Sequence, residues 1–106
     1  MQERPPYEVE DIEEIFRSPE IRVRRFTLAP GNSIPWHRHP TTRDDYYVLA
    51  GRLEIALREP DERVSLAVGD TFRIEAGRPH TNASAHGCVF LLTQGLGAVT
   101  FEPLRD

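Results

Sequence analysis

Hydrophobic and polar positions alternate along short stretches of this chain, and the alternation is clearest over residues 52–58. There Leu53, Ile55 and Leu57 fall on one side of an extended segment, and the residues between them, such as Glu54, fall on the other. Because successive side chains of a β-strand point to opposite faces, this pattern predicts a strand with one face toward a core and the other toward water.

Other segments have the same character, since each is rich in β-branched or aromatic residues and is bounded by turn residues. They cover residues 22–28, 34–39, 46–49, 64–68, 71–74, 79–82, 88–93 and 98–101. Gly and Pro recur between them at short intervals, as expected where turns join strands. The pattern therefore predicts an all-β domain, and it leaves open whether that domain is a sandwich or a closed barrel.

The N-terminal stretch has a different pattern. Asp11 is placed to cap a short helix over residues 11–16, and Glu14 would complete a capping box. The Ser18-Pro19 pair would end such a helix within two turns. We therefore predict a minor helical appendage in an N-terminal extension of residues 1–20, followed by a single β domain over residues 21–106.

Composition and charge exclude several classes of function. With 106 residues, the chain has room for one domain and one site. The net charge is −4 and all 13 basic residues are arginine, which argues against a nucleic-acid partner because phosphate binding requires clustered basic side chains. No apolar run is long enough for a membrane-spanning helix, and the first residues do not resemble a secretory signal. We expect a soluble, cytoplasmic protein with no membrane partner.

The chain has a single cysteine, Cys88, so an intrachain disulfide is impossible. The apolar run VFLL follows it, and no basic residue stands beside it to lower its pKa. We interpret Cys88 as a buried thiol that packs as a small hydrophobic side chain, rather than as a reactive one.

Candidate chemistry begins with His37 and His39, which are separated by one residue. In a strand both imidazoles point to the same face and can bind one metal ion. Asp44 and His80 follow later in the chain. Three nitrogens and one oxygen suit a divalent transition metal, that is Fe, Mn, Ni, Zn, Co or Cu. The spacing alone leaves a second interpretation open, in which these histidines are surface or turn residues.

The stretch from Gly31 to Gly51, GNSIPWHRHPTTRDDYYVLAG, resembles the first sequence motif of the cupin superfamily. The spacing of the two glycines and of the His37-x-His39 pair fits that motif. The one departure is Asp44, which stands where the family has Glu.

The stretch from Gly69, GDTFRIEAGRPHTNAS, resembles the second cupin motif. Its glycines and His80 match. Glu75 stands where the family usually has Pro, and Ser84 stands where it has Asn, with Asn82 close by.

This resemblance implies a double-stranded β-helix, also called a jelly-roll barrel, so that residues 21–106 would form a single cupin β-barrel domain. It also implies a metal bound by four side chains, His37, His39, Asp44 and His80. Because aspartate is one methylene shorter than glutamate, Asp44 either reaches the metal directly or orients a histidine. Direct ligation is the favoured role.

The implied function is that of a small metal-binding cupin that acts as a metalloenzyme on a small organic molecule. Oxygenase (dioxygenase-like), isomerase and lyase chemistry are all compatible with such a site, and the sequence assigns no catalytic residue. One alternative is a non-catalytic cupin that binds or senses a small molecule or a metal. A metal-free barrel is the other alternative, which the substitution at Asp44 keeps open.

Side chains near the two motifs are candidates for the wall of a substrate pocket: Trp36, Tyr46, Phe72, Asn82 and Phe90. Aromatic residues on strands more often belong to the plain core, so that interpretation is favoured for the aromatic members. Asn82 shares its strand parity with His80 and is expected to face the same cavity. Asp45 is expected to point away from the site, and His86, in the loop-like stretch NASAHG, is expected to be exposed.

A barrel of this length leaves strand edges and apolar strand faces exposed, so we expect a homodimer. The N-terminal extension, which includes Pro5 and Pro6, either crosses to the second subunit or forms a loose tail.

Overall fold

The structure is a computed structural model that describes residues 9–95 and 101–105. These residues form ten β-strands and no helix, so none of them belongs to a helix able to cross a membrane. The strands are β1 (Asp11–Arg17), β2 (Ile21–Leu28), β3 (Ser33–Arg38), β4 (Arg43–Gly51), β5 (Leu53–Leu57), β6 (Glu62–Leu66), β7 (Thr71–Ile74), β8 (His80–Ala83), β9 (Cys88–Gly95) and β10 (Glu102–Pro103). The prediction of an all-β fold is confirmed.

The strands form two antiparallel sheets of five strands each. The first sheet has the order β1-β2-β9-β4-β7, and the second has the order β10-β3-β8-β5-β6. Strands that are neighbours in a sheet are mostly distant in sequence, so the chain passes repeatedly between the sheets. The inward side chains of both sheets form one core, in which the Phe26 and Phe90 rings stack with centroids 5.2 Å apart.

In β5, and in β9 as far as Gln94, buried positions recur at every second residue, as the sequence pattern requires. In β5 the buried residues are Leu53, Ile55 and Leu57, which confirms the predicted orientation of that strand. In β9, burial alternates from Cys88 to Gln94. Cys88 is buried as expected, and burial raises the pKa of its thiol, which favours the unreactive form.

The predicted helix over residues 11–16 is wrong, because these residues lie in strand β1. Strand β1 pairs with β2 in an antiparallel register that places Ile12 opposite Phe26 and Glu13 opposite Arg25. The Glu13 and Arg25 side chains form an ion pair of 2.6 Å. The open edge of β2 offers backbone hydrogen bonds to the whole segment, which a helix of two turns cannot match.

Strand β1 therefore makes part of the predicted N-terminal extension an edge of the first sheet. The earlier part of that extension, including Pro5 and Pro6, lies outside the described residues.

The remaining predicted strands agree with the structure to within a few residues. Residues 71–74 coincide with β7, whereas β6 ends at Leu66 instead of residue 68. The reason is a turn in which the Ala67 amide donates to Asp70 Oδ2 and the Asp70 amide donates to the Ala67 carbonyl, each at 2.9 Å. Residues 98–100 of the last predicted strand lie outside the described residues, and β10 begins just beyond them.

Gly51 ends β4 at a point where the backbone of another turn comes very close. Its φ of +73° lies in the left-handed region, and a Cβ atom at this position would collide with the Gly87 carbonyl oxygen. Only glycine satisfies both conditions.

Candidate metal centre

Three histidines meet inside one end of the barrel. His37 points inward from β3, and His39 follows one residue after that strand ends. His80 begins β8, which pairs with β3 so that His37 and His80 are direct cross-strand neighbours. All three side chains are buried, and one ligand nitrogen from each lies within 4.8 Å of the others. The HxH spacing and the β3–β8 pairing together produce this cluster.

The backbone fixes which nitrogen of two imidazoles carries a proton. His37 Nδ1 lies 2.7 Å from the Pro35 carbonyl oxygen, and His80 Nδ1 lies 2.9 Å from the Arg78 carbonyl oxygen. Because a carbonyl oxygen only accepts, both Nδ1 atoms must donate. In the neutral ring the lone pair is then on Nε2. Among the described residues, His80 Nε2 is a buried nitrogen that makes no hydrogen bond.

Asp44 brings a carboxylate to this cluster from the other sheet. It is buried in β4, and its Oδ2 lies 3.3 Å from His80 Nε2 and 3.5 Å from His39 Nε2. In the neutral form of His80, both Oδ2 and Nε2 present lone pairs to each other. Such a contact between two buried acceptors is repulsive unless a proton or a cation lies between them.

The local electrostatics favour the protonation states that metal ligands require. Burial, together with the neighbouring His80 and His39, lowers the pKa of His37 to about 3, so this imidazole is neutral near pH 7. Burial opposes ionisation of Asp44, but the His80 and His39 rings in their protonated forms, together with the Gln94 amide, outweigh it and lower the pKa of the carboxyl group. A bound cation would act on the carboxylate in the same direction. A neutral imidazole and an ionised carboxylate are the forms that bind metals.

Gln94 is a member of the site that the sequence analysis missed. Its amide nitrogen lies 3.1 Å from Asp44 Oδ1, and its amide oxygen accepts hydrogen bonds from Arg22 at 3.0 Å and Arg24 at 3.1 Å. The signal was present in the sequence, because Gln94 has the same parity as Phe90. The predicted strand stopped at residue 93, one residue too early.

Phe101 was also missed as part of the site. Its ring stacks on His37 with centroids 4.5 Å apart and an interplanar angle of 18°. Strand β10 holds it there by pairing with β3, and Arg38 and Glu102 join the two strands through an ion pair of 2.7 Å. Phe101 therefore covers one face of the histidine cluster.

The residues proposed for a substrate pocket occupy different places. Tyr46 and Asn82 are both buried, with Asn82 Nδ2 donating to the Tyr46 hydroxyl at 3.2 Å, and that hydroxyl lies 3.4 Å from Asp44 Oδ2. Phe90 is in the apolar core against Phe26. Phe72 is only partly buried, on strand β7. Only Tyr46 and Asn82 are linked to the site by these contacts.

Trp36 lies on the opposite face of β3 from His37. Its ring is half-buried beneath the Arg58 guanidinium, whose central carbon is 3.8 Å from the ring centroid. Asp45 likewise points outward, where it pairs with Arg73 at 2.7 Å. His86 is exposed, as expected.

The donor set fits a divalent transition metal. Three imidazole nitrogens, which are borderline ligands, and one carboxylate oxygen suit Fe, Mn, Co, Ni, Zn or Cu, whereas Mg and Ca prefer sets made of oxygen atoms alone. The buried His80 nitrogen facing a carboxylate oxygen is the feature that a cation would satisfy.

Residues 24–93, most of the two sheets together with the histidine cluster, match the family described as Cupin domain. The chain belongs to the cupin family. The arrangement of its two sheets is the double-stranded β-helix, so the predicted fold class is confirmed.

One relative is a germin-like protein from Morus alba, which is 35% identical to this cupin over 77 residues. The match covers 68% of this chain but only 37% of that protein, so the cupin spans little more than a third of the relative's length.

Solved structures show the same fold. An uncharacterised conserved protein with a double-stranded beta-helix domain from Klebsiella pneumoniae subsp. pneumoniae MGH 78578 superposes with a TM-score of 0.79 at 20% identity, covering 97% of this chain and 90% of that one. An oxalate oxidase gives 0.71 at 18% identity, covering 80% of this chain and 46% of that one. The DMSP lyase DddQ from Ruegeria pomeroyi DSS-3 gives 0.70 at 24% identity, covering 78% of this chain and 42% of that one. At such identities the likeness concerns the fold alone.

Proposed function

We propose that this cupin binds one divalent transition metal through His37, His39, His80 and Asp44. The observation that carries the proposal is the contact between His80 Nε2 and Asp44 Oδ2, two buried atoms 3.3 Å apart with no hydrogen bond recorded for that nitrogen among the described residues. A cation between the imidazoles and the carboxylate would remove this repulsion. Proteins rarely leave such groups buried without a partner.

We further propose that the metal-bound protein is an enzyme acting on a small organic molecule. When bound, the metal would supply Lewis-acid or redox chemistry. The chain itself would hold the donor atoms through the Pro35 and Arg78 carbonyls, and Phe101 would restrict water on the His37 side. Two of the similar structures are enzymes, an oxalate oxidase and a DMSP lyase, and because their names denote different activities they support small-molecule chemistry without selecting a reaction.

Metal analysis of protein purified without a histidine tag tests the metal site. We expect close to one transition metal per chain in the wild type, and a large loss in His37→Ala and in His80→Ala. His86→Ala is the matched control. His86 is exposed and is not one of the three clustered histidines, so this variant should keep the metal. Asp44→Ala should lower the metal content if Asp44 is a ligand, and it should leave the metal content unchanged if Asp44 is not. If the wild type stays metal-free after reconstitution with Fe, Mn, Ni or Zn, the proposed metal site is wrong and the alternative of a metal-free barrel is favoured.

Activity screens then separate the enzyme from a binding or sensing protein. Oxygen uptake, isomerisation and elimination would be measured on small organic acids and related compounds with the metal-loaded wild type and with His37→Ala. Turnover that depends on the metal supports the enzyme. Saturable binding of a small molecule without turnover in any screen would favour the non-catalytic alternative.

We also propose that two copies associate through the outer face of the first sheet. Phe16 and Tyr47 are 54% and 44% exposed there, and Val23 and Leu91 lie on the same face by strand register. The charges on this face are already paired within one chain, as between Glu13 and Arg25. A twofold contact brings identical surfaces together, so internally balanced charges favour it.

Light scattering after size exclusion tests this association. The wild type should have the mass of a dimer, and Phe16→Glu should shift it toward the monomer. Arg63→Glu, an exposed charge reversal in β6 of the second sheet, should not. A monomeric wild type at all concentrations would refute the dimer.

The proposed partner is a small molecule, rather than nucleic acid or a membrane, in keeping with the net charge of −4. The proposed location is the cytoplasm, where a lone thiol such as that of Cys88 stays reduced. Cell fractionation checks the location directly.

A further inference from the structure

The Gln94 side chain has a single permitted orientation. Two arginines direct an Nη2 atom at its Oε1, Arg22 at 3.0 Å and Arg24 at 3.1 Å. A guanidinium group only donates hydrogen bonds, so the atom that it contacts must be the amide oxygen. The amide nitrogen must then face the opposite way, toward the metal centre.

This orientation divides the two oxygens of Asp44 between different partners. Gln94 Nε2 donates to Oδ1 at 3.1 Å, and a longer contact of 3.4 Å joins the same nitrogen to His39 Nε2. The other oxygen, Oδ2, faces the histidines, 3.3 Å from His80 Nε2 and 3.5 Å from His39 Nε2. The Tyr46 hydroxyl lies 3.4 Å from the same Oδ2.

From this arrangement, and resting on the proposed metal site, we infer that Gln94 is a positioning residue that makes Asp44 a ligand through Oδ2 alone. An aspartate is one methylene shorter than the glutamate of the family motif, so it has less freedom to reach a metal from its strand. An amide that holds Oδ1 fixes the plane of the carboxylate and presents Oδ2 to the imidazoles. Arg22 and Arg24 in turn prevent the amide from rotating.

The experiment measures the affinity of the protein for Co²⁺, by competition with a chelator, and the visible absorption spectrum of bound Co²⁺. We expect Gln94→Leu, which removes both the donor and the acceptor, to weaken Co²⁺ binding by about 10- to 100-fold. Gln94→Met, a neutral side chain of similar length that offers Asp44 no donor, should weaken binding to a similar extent. Both variants should change the Co²⁺ spectrum, because the carboxylate ligand is no longer held.

Ser84→Ala is the matched control for loss of a buried hydrogen bond. Ser84 is buried and donates to the Arg52 carbonyl at 2.7 Å, away from the metal centre. This variant should bind Co²⁺ as tightly as the wild type. If Gln94→Leu does not fold, Arg22→Leu leaves the amide in place but removes one of its two anchors, and it should weaken Co²⁺ binding in the same direction by a smaller factor.

A double variant shows whether Gln94 acts through Asp44. In an Asp44→Ala background, Gln94→Leu should change Co²⁺ affinity by less than about twofold, because the group that it positions is gone. Wild-type affinity in Gln94→Leu, or an undiminished effect in the Asp44→Ala background, would overturn the inference while leaving the metal site intact. A wild type that binds no Co²⁺ would overturn both the inference and the proposed function.

Discussion

At the scale of single residues, this site is a set of buried polar groups whose partners are almost all identifiable. The His37 and His80 rings are oriented by main-chain carbonyls of residues two positions earlier, Pro35 and Arg78. That local hydrogen bond needs no distant partner, so each ring is set by its own segment. The position of His37 relative to His80 then depends on the pairing of β3 with β8.

The depressed pKa of His37 makes the stability of the metal-free protein depend on pH. The unfolded chain binds a proton at His37 below pH 6.5, whereas the folded protein does so only near its pKa of about 3. The contribution of His37 to the free energy of unfolding is therefore fully present above pH 6.5, and it is lost as the pH falls from 6.5 toward 3. The expected loss from this group is about 1.4 kcal/mol per pH unit, or about 2 kcal/mol between roughly pH 7.5 and pH 5.

Urea unfolding of chelator-treated protein at these two pH values checks this prediction. His37→Gln, which cannot be protonated, should have a difference between the two pH values that is smaller by about 2 kcal/mol. Equal pH dependence in the wild type and in His37→Gln would show that His37 is not the group responsible.

At the scale of strands and turns, most elements could be predicted because their signals are local. The alternation of Leu53, Ile55 and Leu57 specifies β5 without any knowledge of the rest of the chain. Strand β1 could not be predicted in this way, since its residues are nearly all exposed and its conformation depends on the edge of β2. The capping pattern at Asp11 favours a helix locally, but the pairing of β1 with β2 makes these residues a strand instead.

The turn at Gly51 is the element where a small change should cost most. Gly51→Ala would place a methyl group against the Gly87 carbonyl in addition to requiring a φ of +73°. We expect a loss of about 3 kcal/mol or more in the free energy of unfolding. Gly69→Ala is the matched control, because Gly69 has a φ of +89° but no atom within 4 Å of the added methyl group. It should cost about 1 kcal/mol, and similar losses in both variants would disprove the role of the close contact.

At the scale of the whole molecule, the sequence predicted which polar side chains lie together better than it predicted their surroundings. Motif spacing was enough to select His37, His39, Asp44 and His80, which the fold brings together. It gave no indication that Phe101 stacks on His37, because a contact between two segments distant in the chain has no local sequence signature. Trp36 was a candidate for the pocket wall, but an irregularity in β3 between Ile34 and His37 breaks the alternation and turns it to the face opposite His37.

Metal binding should stabilise the whole domain, because the assembled ligands exist only in the folded state. At a free metal concentration of about 100 times the dissociation constant, the gain is about 2.7 kcal/mol. For a chain of this size that corresponds to a rise of about 10 °C in Tm. Thermal unfolding of chelated and metal-loaded protein measures the rise. The same addition should have no effect on His80→Ala, and an equal rise in that variant would indicate that the metal binds elsewhere.

The histidines lie on or beside strands of the second sheet, whereas Asp44 lies in the first. A cation bound to both would therefore link the two sheets of the barrel. Without it, we expect the two sheets to separate more readily at this end than at the far end, where Leu28 and Cys88 pair between β2 and β9. Amide exchange in the metal-free protein should then be fastest near Asp44 and His80, and it should slow in both sheets together on loading. A metal ion that enters through this local opening would suppress the same opening once it is bound.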